Sequence, residues 1–245
     1  MRKPSGNGCV LSLMPLVILA WCVEKIGDQK KAVSSLKQQR QCSNKVLSSF
    51  EQIQWENRYA TNSHCNVYIT VDGTDFKIKE PRPFSPAWYS HKFNGPAVRY
   101  EVGICIATGW IVWFNGPYKP GDYPDLKLAQ ECGLHECLDE DERYIADGTY
   151  TCNQALIPHD IANHYESVYM QWCRTRHEAT NKLFKLFKVV CNKFERSPFK
   201  HGLFVHAIAQ IVQLGIMTGQ MGASFDVHDF QQPPSWPGTW EYRVE

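Results

Sequence analysis

This chain of 245 residues lacks three features: a large net charge, closely spaced cysteine pairs and internal repeats. The charge is almost balanced, with a formal net charge of +1, so the overall balance indicates nothing about a nucleic-acid partner. None of the ten cysteines forms a Cys-x-x-Cys pair, and zinc sites usually need such close pairs. No internal repeat is visible, which argues against a repeat architecture. With 43% hydrophobic and 21% charged residues, the composition is that of an ordinary globular protein with reduced thiols.

Long apolar runs are also missing. The run at residues 9–23 is short for a membrane span and contains Pro15. Its basic start, Arg2-Lys3, resembles that of a secretory signal, although no clear small-x-small cleavage site follows. Two interpretations therefore stay open, a signal peptide and a buried helix. We expect residues 1–54 to form a small helical segment, a candidate remnant of a DNA-binding unit.

Strand patterns begin at Val67, where Val67, Ile69 and Val71 alternate with polar residues. The pattern predicts strands at about 66–72, 98–106, 110–115 and 143–147, and helices at about 125–138, 162–195 and 201–217. We expect residues 55–220 to form one α/β domain, a mixed sheet flanked by helices. The proline-rich tail at 221–245 is predicted to be irregular.

Acidic residues stand at three places that such a fold can bring together. Asp72 ends the first predicted strand, Asp147 ends the fourth, and Glu178 lies on a later helix. Carboxylates without His or Cys partners favour Mg²⁺ or Mn²⁺. Two such ions about 3.5–4 Å apart can activate a nucleophile and stabilise a leaving oxygen in phosphodiester chemistry. The trio therefore predicts a catalytic metal site.

Several nearby side chains allow two readings each. Asp125 is a fourth candidate metal ligand or, equally, a cap of the helix that it starts. His177 could contact phosphate, but a packed or surface histidine is the favoured interpretation. Asp75 and Asp122 are interpreted as turn acids.

Basic residues concentrate between residues 174 and 200. Arg174 and Lys185 can share the helix face of Glu178 and bind phosphate, and a simple ion pair between Arg174 and Glu178 is compatible with that reading. Lys92 and Arg99, beside the aromatic loop before the second long strand, are further candidate DNA contacts. The alternative is a solvated helix face and ordinary loop packing.

Several long blocks occur in one order: VDGTDFKI, WYSHKFNGPAVRYEVGICIATGWIVWFNGP, PGDYPD, DGTY and RTRHEATNKLFK. Through these blocks, from about residue 55 to about residue 216, the chain resembles the Harbinger/PIF-type DDE transposases. In related DDE enzymes an Arg stands four residues before the Glu and a Lys seven after it, and Arg174 and Lys185 occupy those places. The Tyr often found three residues before that Arg is Gln171 here.

The resemblance implies an RNase H-like endonuclease domain that cuts DNA strands and joins a 3′-hydroxyl to target DNA. It implies Asp72, Asp147 and Glu178 as catalytic acids that hold two Mg²⁺ or Mn²⁺ ions, with Asp125 as a further ligand. A nuclear location, a homo-oligomer, no membrane association and a Myb-like accessory DNA-binding protein are expected as well; a cytoplasmic location is the alternative. The rival hypotheses are a domesticated derivative that binds DNA or protein without cutting, and a secreted cysteine-containing protein.

Overall fold

A computed structural model describes residues 53–59, 66–83, 85–161 and 163–219. The predicted apolar run at 9–23 and the tail at 221–245 lie outside the described residues, as does nearly all of the predicted N-terminal segment. Within the described ranges, Cys105, Cys137, Cys152 and Cys191 are free thiols. No helix in these ranges is both long enough and apolar enough to span a bilayer.

Six strands form one mixed sheet. They are β1 (Val67–Lys77), β2 (Tyr89–Ser90), β3 (Gly95–Cys105), β4 (Ile111–Tyr118), β5 (Arg143–Ile145) and β6 (Ala155–Leu156). Across the sheet the order is β4, β3, β1, β5, β6, and β2 pairs with the start of β3. The first strands are antiparallel, whereas β5 and β6 run parallel to β1.

Within the described ranges, five α-helices accompany the sheet. They are α1 (Asp125–Glu131), α2 (Leu134–Cys137), α3 (His164–Lys185), α4 (Lys188–Cys191) and α5 (Pro198–Met217), with short 3₁₀ turns at Trp55–Tyr59, Pro86–Trp88 and Pro158–Asp160. Capping residues in the sequence mark where the two long helices begin. Asn163 caps α3 by accepting a hydrogen bond from the backbone N–H of Tyr165, and Ser197 caps α5 just before Pro198.

Helices cover both faces of the sheet because its strands carry apolar residues on both sides. One face packs Phe76 and Val102 against Leu183 of α3 and Val205 of α5. The other face packs alternate residues of β1, such as Ile69, against α1 and α2. The predicted class, α/β with a mixed sheet flanked by helices, is confirmed by this arrangement.

Several element boundaries differ from the prediction, and β5 ends at Ile145, two residues before Asp147. Strand β1 continues five residues beyond Asp72, because β3 keeps pairing with it as far as Lys77. The predicted helix at 125–138 is two helices, and Gly133 separates them with a φ of 107° that glycine tolerates best. The predicted helix at 162–195 stops at Lys185, since Phe187 takes an extended backbone and packs against the core.

Candidate metal-binding site

Asp72 lies within β1, half-buried, and its side chain points towards α3. The side-chain amide of Asn181 donates a hydrogen bond to Asp72 Oδ2 over 3.0 Å. Two residues earlier on the same strand face, Thr70 Oγ1 and His177 Nδ1 are 2.7 Å apart. His177 and Asn181 are one helical turn apart, so these two contacts fix α3 lengthwise along β1.

His177 is therefore part of the interior. It is buried, and burial, with the nearby charge of Lys92, lowers its pKa to about 3. A neutral imidazole at physiological pH suits a packed side chain that hydrogen-bonds Thr70. A phosphate contact would need an exposed nitrogen.

Asp147 follows β5 by two residues and lies near Asp72. Strands β1 and β5 are parallel neighbours in which Thr70 pairs with Ile145, so Asp72 and Asp147, each two residues further along, lie side by side where β5 has ended. Asp147 Oδ1 accepts hydrogen bonds from the backbone N–H and the hydroxyl of Thr149, which form a tight turn. Burial raises the pKa of Asp72 and the charge of Asp147 raises it further, while Lys92 and Arg174 lower it. The charge of Asp147 therefore acts on the carboxyl group of Asp72, as expected for two acids that lie near each other.

Glu178 is exposed on α3, three residues before Asn181. Arg174, Glu178, Asn181 and Lys185 follow one another at helical spacing and form a stripe on one side of the helix. Arg174 is half-buried, Lys185 is exposed, and no ion pair joins Arg174 to Glu178 in the described part of the chain.

Asp72 and Asp147 provide two carboxylates for a divalent ion, which is part of what such a site requires. Mg²⁺ often binds through one or two carboxylates and completes its shell with water and phosphate oxygens, and Asp72 with Asp147 matches that pattern. Within the described ranges, however, no three or more His, Cys, Asp or Glu side chains are close enough together to hold a metal ion.

Asp125 reaches β1 from the opposite side. It is the first residue of α1, whose N-cap is Pro124, and its Oδ1 lies 3.0 Å from Nη1 of Arg99. A Cβ atom at Gly73 would collide with Asp125 Oδ1. Because successive strand residues point to opposite faces, the carboxylate beneath Gly73 and the side chain of Asp72 lie on different faces of the sheet.

Arg99 is buried and forms ion pairs with two acids, Asp75 and Asp125. The ion pair with Asp75 is bidentate: Nε of Arg99 lies 2.7 Å from Oδ1, and Nη2 lies 3.0 Å from Oδ2. Ser90 donates its hydroxyl hydrogen to Asp75 over 2.6 Å. Asp75, interpreted from sequence as a turn acid, is therefore a buried strand residue, and Arg99 is only 8% exposed.

Lys92 lies at the edge of the candidate site. Its Nζ donates to the backbone carbonyl of Gly73 over 2.7 Å, and its charge lowers the pKa of Asp72 and of Asp125. Asp122, in contrast, makes a surface ion pair with Lys119 at 3.4 Å.

The basic stretch divides into buried and exposed members. Arg176 is buried, donates to the carbonyl of Ile106 over 2.7 Å and lies against Gly109, whose φ is 73°. The exposed members are Lys182, Lys185, Lys188, Lys193, Arg196 and Lys200. Arg176 thus anchors α3 to the turn between β3 and β4.

Sequence reasoning missed two polar residues. Glu101 of β3 stands directly opposite Gly73, is fully buried and accepts a hydrogen bond from Trp113 Nε1 over 2.8 Å. Asn181 was overlooked because it lies inside a helix pattern. A charged residue in the apolar alternation of β3 was the available signal for Glu101, whereas nothing in the pattern distinguishes Asn181.

Comparison of the chain with protein-family models, with curated proteins and with solved structures found no match in any of the three. The functional interpretation therefore rests on the geometry and on the sequence blocks described above.

Proposed function

We propose that this chain is a metal-dependent DNA endonuclease of the DDE type, built on an RNase H-like domain and related in activity to transposases. The observation that carries the proposal is the placement of Asp72 and Asp147 side by side, two residues beyond the last pair of the parallel strands β1 and β5, beneath a helix that bears Arg174 and Glu178. The strand order, three antiparallel strands followed by two parallel ones on the far side of β1, is the order expected of an RNase H-like sheet.

Each residue has a role in this proposal. Asp72 and Asp147 would hold Mg²⁺ or Mn²⁺, with Glu178 as the third carboxylate, and two such ions supply Lewis-acid activation of the phosphate and of the attacking oxygen. Asn181 orients Asp72 through its 3.0 Å hydrogen bond. Arg174, Lys185 and Lys92 bind the phosphate backbone around the cut. Asp125 and Arg99, by their placement, support β1 from the other face.

The wider activity follows from the resemblance rather than from the fold. The substrates would be the ends of a mobile DNA element, with a freed 3′-hydroxyl joined to target DNA. A homo-oligomer, a Myb-like accessory protein and a nuclear location belong to the same proposal.

A non-catalytic derivative that binds DNA or protein is the second candidate function. Two observations favour it: Glu178 is exposed, and no cluster of three acids able to hold a metal ion occurs in the described ranges. An enzyme of this type needs its carboxylates to converge when metal and DNA bind.

Nicking of supercoiled DNA that carries candidate element ends, in millimolar Mn²⁺, separates the two functions. We expect Asp72→Asn, Asp147→Asn and Glu178→Gln each to lose most of the rate, because residues that act as a unit are not additive. Gel-shift binding should stay close to that of the wild type, since each change removes a metal-binding charge and leaves the basic residues intact.

Asp122→Asn is the matched control, because that acid is half-exposed and pairs only with Lys119 at the surface. It should cut at the normal rate. Full activity of all three site variants would end the nuclease proposal, and a wild type that binds DNA but never nicks it would establish the non-catalytic derivative.

A further inference from the structure

Asn181 combines three properties that no other residue of α3 shares among those described. It is 7% exposed, it touches the carboxylate of Asp72, and its own carbonyl oxygen, Oδ1, has no hydrogen-bond partner in the described part of the chain. Buried amide oxygens are normally paired, because an interior polar atom without a hydrogen bond destabilises the folded state. Oδ1 of Asn181 can therefore accept a further interaction beside the carboxylate of Asp72.

We propose that Asn181 supplies the third protein oxygen of the metal site, next to Asp72 and Asp147, in place of Glu178. This inference rests on the proposed metal-dependent function and replaces one of its ligands. The chemistry is suitable, because hard divalent cations accept amide carbonyl oxygens as well as carboxylates.

The side-chain amide of Asn181 can interact favourably with the site both without a metal ion and with one bound. Without a cation, the ionised Asp72 attracts a donor, and Nδ2 of Asn181 provides it over 3.0 Å. A cation on Asp72 repels an N–H group and attracts an oxygen. Because the amide carries both groups on one planar end, a half-turn about its last torsion exchanges them.

Glu178 is less well placed for the same task. It is exposed on the helix, one turn before Asn181. Asn181, in contrast, is held against β1 by the neighbouring contact between Thr70 and His177. The preorganised oxygen is therefore that of Asn181.

Calorimetric titration of the full chain with Mn²⁺ alone tests the assignment without reference to activity. We expect Asn181→Leu, which removes the amide at similar size, to weaken Mn²⁺ binding about tenfold or more, as loss of a supporting group does in metal sites. Asp122→Asn, whose acid pairs with Lys119 at the surface, is the control and should bind Mn²⁺ within about twofold of the wild type, a difference too small to reflect a lost ligand.

A second measurement separates a ligand from a residue that merely orients Asp72. The side-chain NH₂ signal of Asn181, assigned by its absence in Asn181→Asp, is followed by NMR during titration with Mg²⁺. Ligation by Oδ1 breaks the hydrogen bond to Asp72, so the amide protons should shift upfield at saturation. Amide protons that stay in place would overturn the proposal, even if Asn181→Leu fails to fold.

The remaining outcomes are distinguishable. If Glu178→Gln loses Mn²⁺ and Asn181→Leu keeps it, Glu178 is the ligand, and the proposed function survives while this inference fails. If Asp72→Asn binds Mn²⁺ as tightly as the wild type, the proposed function fails together with it.

Discussion

At the scale of single residues, Glu101 shows how strongly an environment can change a carboxyl group. It is fully buried in β3, opposite Gly73, and within the described part of the chain its Oε2 accepts a hydrogen bond from Trp113 while its Oε1 has no partner. Burial, together with the nearby charge of Asp125, raises its pKa to about 8 even though the hydrogen bond from Trp113 lowers it. Glu101 is therefore a neutral acid in the folded protein at pH 7, although it ionises in the unfolded chain.

This difference makes stability depend on pH. Between the ordinary pKa of 4.5 and the folded value of about 8, the folded state holds a proton that the unfolded state has lost. The free energy of unfolding therefore falls as pH rises, by at most about 1.4 kcal/mol per pH unit from this group. Glu101→Gln removes the effect while keeping the hydrogen bond from Trp113.

We expect Glu101→Gln to gain roughly 2 kcal/mol over the wild type between pH 5.5 and 7.5, measured as the difference of their urea unfolding free energies. The difference is needed because His201, whose pKa burial lowers to about 4, makes both proteins more stable as pH rises through this range. Parallel stability curves for the two proteins would show that Glu101 titrates normally.

The candidate site itself was only partly predictable at this scale. The apolar pattern before Asp72 and Asp147 and the glycine after each of them predict both acids, and the structure places the two side by side. The face on which Asp125 lies was not predictable, because it depends on β1 continuing past Asp72 and on Gly73 leaving room for the acid. Asn181 was missed for a similar reason, since its role follows from how α3 is positioned along β1.

At the scale of elements, the packing of β4 on β3 depends on a glycine. Gly103 pairs with Trp113, and an added Cβ would lie 2.7 Å from the Cβ of Trp113, nearer than two carbon atoms can approach. Trp113 cannot simply move aside, because its indole N–H donates a hydrogen bond to Glu101. Its ring also packs edge-on against that of Trp55, with the ring centroids 5.6 Å apart.

Gly103→Ala should therefore destabilise the fold by about 1–3 kcal/mol, the usual cost of overpacking a well-packed interior. Thermal and urea unfolding would measure it. Gly148→Ala is the matched control, since no atom lies within 4 Å of an added Cβ there and its effect should stay within about 0.5 kcal/mol. Equal stability of the two variants would mean that β4 adjusts freely.

Elements were more predictable than their ends. Alternation in β1 and β3 and the helical pattern of α5 predicted the type and approximate place of each. Strands β2 and β6, with two residues each, are too short to show a pattern, and their pairing comes from neighbours. The break after Lys185 depends on Phe187 turning to the core, a tertiary effect that a helical pattern cannot reveal.

At the scale of the whole molecule, a net charge of +1 conceals an uneven distribution. Lys182, Lys185, Lys188, Lys193, Arg196 and Lys200 are all exposed within a stretch that runs from the end of α3 to the start of α5. Their charges are not neutralised by ion pairs within the described part of the chain. Such a surface attracts polyanions through release of their counterions, in a way that depends steeply on salt.

If this surface binds the phosphate backbone, each lost contact should lower the slope of log affinity against log salt by about 0.9. We therefore expect Lys185→Gln with Lys188→Gln to reduce the slope by nearly two and to weaken binding for all DNA sequences alike. Fluorescence anisotropy on duplex DNA at several salt concentrations measures it. Lys127→Gln is the control, because Lys127 already pairs with Glu131 at 3.8 Å. An unchanged slope in the double variant, with normal folding, would place the DNA elsewhere on the molecule and leave this basic stretch as a solvated helix face.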